Sequence, residues 1–144
     1  MKSDGMFDIE DFKQITLEEK PVFDEHYAKY PPKHSESVFS ALVSWSHFVT
    51  PYYLVHDGNL IIMTMPGEKP RFRPPSGPRD TDTFGRIIEL SKASSTDYLM
   101  VLVDNNTKDW ISSKFHCLDF IPHRDYFDYV YLSEDLANLE GKRF

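Results

Sequence analysis

The chain has 144 residues, enough for one domain with its own core. Its 15% aromatic content argues against disorder despite a proline count of 10, and its net charge of −7 argues against a domain that grips nucleic acid or anionic lipid by itself. The cysteine count of 1 excludes an internal disulfide framework and fits a reducing cytoplasm, and the longest apolar runs, residues 60–65 and 98–103, are too short to cross a bilayer.

The first residues carry no apolar signal-peptide core, so a cytoplasmic location is expected. Residues 7–14 alternate apolar and polar around Ile9 and Phe12 and predict a first strand. Thr16 followed by Glu19 fits a capping box, in which hydroxyl and carboxylate each take a free backbone N–H. Leu17, Phe23, Tyr27 and Tyr30 then recur at helical spacing, Pro21 sits near the first turn, and Pro31-Pro32 ends the helix. A second helix is predicted from Ser35 or Ser37, with Val38, Phe39, Leu42, Val43 and Trp45 as its buried stripe.

Residues 52–56 and 60–65 flank Asp57-Gly58-Asn59. Asp-Gly between two apolar runs is a strong hairpin signal. A short strand is predicted over 71–73, followed by a stiff loop, Arg73-Pro-Pro-Ser-Gly-Pro-Arg79. A third helix is expected over Thr81–Ala93, using Phe84, Ile87, Ile88 and Leu90. Residues 98–103 are apolar on both faces and predict a central strand. Residues 105–115 predict a fourth helix with Trp110, Ile111 and Phe115. Two closing strands are expected at 118–121 and 126–131, then a helix capped by Ser133, with Glu134 and Asp135 in its first turn.

The expected order is β-α-α-β-β-β-α-β-α-β-β. It packs naturally as an α+β domain, a mixed and mainly antiparallel sheet with helices on both faces. The same order occurs in the GNAT acyltransferase fold, which is a resemblance of topology and a weak guide to activity.

Three arginines, Arg71, Arg73 and Arg79, flank the proline loop with Ser76 and Gly77 between them. They are a candidate anion or substrate loop; the plainer reading is a solvated basic edge. The histidines lack metal-ligand spacing, so no metal site is expected. His116 and Cys117 are adjacent and would point to opposite faces of a strand, and Cys117 reads as packing rather than a nucleophile. Asp119, Asp125 and Asp128 lie near His123 and Arg124; turn-making and local pairing are the simpler reading than acid–base catalysis. Alternation along 126–131 places Tyr126, Asp128 and Val130 on one side and Phe127, Tyr129 and Tyr131 on the other. One aromatic set belongs in the core. The others, among Tyr126, Phe127, Tyr129 and Tyr131, are a candidate interface.

Several stretches resemble the phosphatidylglycerol lysyltransferase C-terminal family, also called aminoacyl-phosphatidylglycerol synthase-like. They are Asp11 to Glu19, Tyr27 to Pro32, Pro74 to Gly77, and above all Arg124-Asp-Tyr-Phe-Asp-Tyr-Val-Tyr131 with Leu136-Ala-Asn-Leu-Glu-Gly-Lys142. Members of that family are built from two GNAT-like halves, and the better known ones move an amino acid from a charged tRNA to a lipid head group. The resemblance implies a single GNAT-like domain over 1–144, an N-terminal half, with 133–144 beginning the connection to a second half that carries the chemistry. An excised domain and a naturally short relative both fit. A GNAT that uses acyl-CoA grips its pyrophosphate with a Q/R-x-x-G-x-G/A loop of free N–H groups. Here the matching stretch has one glycine and three prolines, which donate nothing. No cofactor is therefore expected in this half.

Three functions follow. The first is a non-catalytic half that shapes the site of its companion; its partners would be that second half or another copy. An aminoacyl-tRNA or acyl donor would be engaged only in the full-length protein. The second is a self-sufficient, acyl-CoA-dependent N-acyltransferase of small molecules. The third is a protein-interaction module without a ligand.

Overall fold

A computed structural model describes residues 6–116, 118–130 and 132–138. Its frame is one antiparallel sheet in the order β1 (Lys13–Gln14), β2 (Pro51–His56), β3 (Asn59–Thr64), β4 (Arg71–Phe72). The hairpin β2–β3 is the longest ladder, from Pro51 opposite Thr64 to His56 opposite Asn59. Its two-residue turn puts Asp57 at φ +48° and Gly58 at φ +76°. Positive φ at both centres matches the twist of the strands, and Asp-Gly accepts it at low cost.

All six residues of β3 are buried, and its alternation divides the core in two. Ile61 and Met63 face one side, with Phe7, Phe12, Phe72, Ile87 and Leu90. Leu60 and Ile62 face the other, with Ile15, Phe23, Leu42 and Tyr53. Helices thus cover both faces: α4 (Thr81–Ala93) over the first, α1 (Lys20–Lys29) and α2 (Phe39–Ser44) over the second. Phe84, Ile87, Ile88 and Leu90 of α4 are all buried, as expected from their spacing. The mixed α+β class, with its antiparallel sheet covered on both faces, is as the sequence predicts.

The local elements depart from expectation in several places. Residues 7–14 are not one strand: Asp8 and Asp11 close a reciprocal capping box around a 3-10 turn, Ile9–Asp11, before β1 begins. Thr16 caps a 3-10 turn, Leu17–Glu19, by accepting from Glu18 N, whereas the Glu19 carboxylate accepts from the Tyr53 hydroxyl at 2.5 Å. Leu17 is exposed. The second helix is broken into a 3-10 turn, Ser35–Ser37, then α2, then α3 (Ser46–Val49). The break falls at Trp45, which leaves the buried stripe, is 57% exposed and packs its ring on Phe48.

After α4 the expected strands are missing among the described residues. Residues 98–103 lie beside β4 and share one bond with it, Val101 N–H to Phe72 O at 2.9 Å. Leu102 lies at φ +57°, and a left-handed residue turns the chain out of the extended path that a ladder needs. α5 (Asn105–Lys114) follows, capped by Asp104. Residues 118–121 and 126–130 form no strand; Arg124–Tyr126 is a 3-10 turn. α6 (Ser133–Ala137) starts one residue earlier than expected, with Leu132 rather than Ser133 at its N-cap. Cys117, Tyr131 and residues 139–144 lie outside the described residues, as does the expectation for Cys117.

Candidate functional site

The proline loop follows β4 directly and stays on the edge of the sheet. Arg73 N–H bonds Ile62 O at 3.0 Å. Ser76 and Leu60 exchange both backbone bonds, at 2.9 and 2.8 Å. Pro74, Pro75 and Pro78 have no N–H. Gly77, at φ +150°, lies so close to the hairpin that a Cβ there would stand 2.6 Å from Gly58 O and 2.7 Å from Asn59 Oδ1. His26 Nε2 donates to Ser76 O at 2.7 Å, and the Ser76 hydroxyl donates to Tyr30 O at 3.3 Å. The loop is therefore sewn to β3 and to α1.

The N-terminus of α4, just beyond the loop, is also filled. Asp80 accepts from Thr83 N–H at 2.6 Å and from the Thr83 hydroxyl at 2.9 Å. The same carboxylate accepts from the Asn59 amide at 2.8 Å. Helix dipoles favour an anion at this position, and here the anion is the protein's own side chain. Asp80 is absent from the candidate residues read from the sequence, although an Asp just before a helix is a standard N-cap signal.

The three arginines do not converge on this loop. Arg71 is exposed on β4. Arg73 points inward and is only 8% exposed; its Nη1 donates to Glu36 O at 2.7 Å and to Ser37 Oγ at 3.2 Å. Burial lowers its pKa, opposed by the charge of Glu36 and by Tyr27. Its Nε has no hydrogen-bond partner among the described residues. Arg79 reaches the other way, to Thr107 Oγ1 at 3.2 Å on α5. Of two open clefts on the described surface, one is lined by residues 66–71, Arg71 among them, with 96–98, and the other by 14–18 with Val43 and Ser46; neither is lined by residues 73–79.

The tail is the second region. Tyr126, Phe127, Tyr129, Val130 and Leu132 are all exposed, as is Ile121, and Tyr129 is 87% exposed. The expectation that one set would enter the core is corrected for the described residues: without a ladder there is no sheet face to bury it against. The segment is tied down by polar contacts instead. Asp128 Oδ2 accepts from Ser35 N–H at 2.8 Å, and Oδ1 accepts from the Ser35 hydroxyl at 2.5 Å. His34 Nε2 donates to Tyr126 O at 2.5 Å. The Ser35 hydroxyl, then its N–H, hold the Asp128 carboxyl below the usual carboxylate range, with His34 adding to the effect. His123, Arg124, Asp119 and Asp125 are exposed; His123 packs edge-on against Tyr98 and Tyr126. No group of three metal-ligating side chains occurs among the described residues, and no described helix is long and apolar enough to cross a membrane.

Fold and surface together define a small α+β domain with a closed loop at its sheet edge and an uncovered apolar strap. The model of the family "phosphatidylglycerol lysyltransferase, C-terminal" matches residues 27–144, and the chain belongs to that family. A crystal structure of a conserved protein of unknown function from Bacteroides thetaiotaomicron VPI-5482 is similar to it, with TM-score 0.80 and 28% identity. The match covers 91% of this chain and 45% of that one, so the chain spans less than half the length of its structural relative. No curated protein matches.

Proposed function

We propose that this chain is a GNAT-like, non-catalytic half of an aminoacyltransferase-like protein, and that it shapes and covers the site of a second half. The observation that carries the reading is the sealed loop. Arg73 and Ser76 spend their N–H groups on β3, three prolines have none, and the Asp80 carboxylate occupies the start of α4. A pyrophosphate brought there would meet a negative charge and no open cradle. Membership of a lysyltransferase family and a structural relative more than twice as long support a role within a larger assembly. The exposed Phe127 and Tyr129, with Tyr126 and Tyr131 beside them in sequence, are the surface we assign to the companion half or to a second copy. Residual anion contacts at the loop would fall to the outward-facing Arg71 and Arg79, with Ser76 and Gly77 between them and Arg73 turned inward.

Two measurements test this. Acetyl-CoA at millimolar concentration is expected to leave the melting temperature unchanged, because a ligand that binds only the native state must raise it. A rise of several degrees would overturn the reading in favour of a self-sufficient acyltransferase. Sedimentation over rising concentration is expected to show association that weakens in a Phe127→Ser, Tyr129→Ser double variant. A monomer at every concentration, with no gain on adding the second half, would remove the interface.

A further inference from the structure

We infer that residues 126–130 form a detachable strap, closed on the body of the domain chiefly by a carboxylate clamp, Asp128 on the 3-10 turn Ser35–Ser37, with a second tie from His34. This stands apart from the companion-half reading and holds whether or not the strap's outer face docks anything.

The strap has the composition of a buried strand but none of its attachments. Its large apolar groups face solvent, and the bonds that hold it come from one turn. Asp128 takes both the N–H and the hydroxyl of Ser35, a two-point grip by a charged acceptor. The contact joins residues 93 apart in sequence, so nothing in the local chain enforces it. His34 contributes the second tie. Glu36 N–H donates to His34 Nδ1 at 3.2 Å, so that nitrogen is unprotonated and Nε2 carries the hydrogen given to Tyr126 O.

The same turn holds the interior. Glu36 O and Ser37 Oγ bind Arg73, and Ser37 O accepts from the Tyr27 hydroxyl at 2.5 Å. Its inner side is thus anchored to the core and its outer side grips the strap. The strap is the part free to leave.

The groups that face the Asp128 carboxylate are Ser35 and His34, whose Nε2 stands 3.8 Å away; Lys33 and Glu36 flank the turn, and Arg124 and Asp125 lie on the strap's own segment. Charging His34 adds its proton at Nδ1 and so gives up the Glu36 N–H bond that caps the turn, while Nε2–H stays on Tyr126 O and the new charge attracts Asp128. Protonating Asp128 removes the charged acceptor itself. A carboxyl held below its ordinary value contributes its stabilisation above the unfolded-state pKa of about 3.9. That contribution is lost as pH falls through the lower folded-state value.

The test is chymotrypsin at fixed neutral pH, which cuts after Tyr126, Phe127 and Tyr129, with fragments read by mass spectrometry. Asp128→Ala is expected to be cut within 126–130 about tenfold faster than the parent, the worth of a hydrogen bond to a charged group. Ser35→Ala keeps the backbone bond and is expected to fall between them. Asp128 is solvent-exposed, so the variant's melting curve serves to show that the body remains folded. As a second readout, the Ser35 amide proton resonance is expected to titrate with a midpoint below about 3.9 in the parent and not in Asp128→Ala. Equal cutting of parent and Asp128→Ala, or a Ser35 amide that ignores both acid and the substitution, would overturn the clamp.

Discussion

The hairpin in the front of the molecule, residues 51–64, and the tail, as described over 118–130 and at 132, are both rich in apolar residues and end in opposite states. In the front, β3 is buried on both faces and the apolar residues packed around it fill two cores. In the tail, Ile121, Phe127, Tyr129, Val130 and Leu132 stand in solvent. The difference is not hydrophobicity. Residues 51–64 fold back on themselves through a two-residue turn, and each face then finds a helix to pack on. The tail has no such hairpin: Arg124–Tyr126 coils into a 3-10 turn, and residues 118–130 pair with no strand among the described residues. In extended chain, ladder pairing is what gives alternate apolar side chains a common face to bury.

Three substitutions sharpen that contrast, with Tyr129→Ala as their control. Phe72 is fully buried at the junction of β4 and the first core and meets Phe12 ring to ring at 5.9 Å. Phe72→Ala is expected to cost roughly 3–5 kcal/mol, whereas Tyr129→Ala should move stability by no more than about 0.5 kcal/mol. Urea denaturation of both variants checks the pair, and a comparable loss in each would erase the distinction between the regions.

Gly77→Ala should come next. The new methyl would meet Gly58 O and Asn59 Oδ1 well inside contact distance, at a φ that side chains rarely adopt. A loss of about 2–3 kcal/mol is expected, since the hairpin backbone cannot swing aside. Thermal unfolding that matches the parent would mean that the loop is not bound to the hairpin.

Asp80→Ala is the smallest of the three, with an expected loss of about 1–2 kcal/mol. It removes the cap of α4 and the acceptor of the buried Asn59 amide. It also uncovers the helix N-terminus, so the variant is the one in which inorganic pyrophosphate should raise the melting temperature if the loop ever held a phosphate. A variant as stable as the parent would show that Asp80 is not what fills that end.

Much of the front is legible in the residue pattern. Asp57-Gly58 between apolar runs locates the hairpin, and Phe84, Ile87, Ile88 and Leu90 locate α4 to the residue. Trp45 falls in a helical stripe by its spacing, but spacing along an ideal helix says nothing of a break, and the chain breaks at that residue. At the loop, the prolines announce missing donors, but the inward turn of Arg73 is invisible in the pattern: its partners, Glu36 and Ser37, are remote in sequence. Asp128 groups by position with its neighbours Asp119 and Asp125, whereas its partner in space is Ser35.

By itself the sequence determined the local features: turn chemistry, helix faces, the absence of proline N–H groups and the kinship with a lysyltransferase family. These follow from steric rules and spacings that act within a few residues. Only the tertiary structure decided which charges lie buried, which strands find a ladder and where the strap is held. Those outcomes depend on contacts between distant residues, whose free energy exists only once the sheet has brought them together.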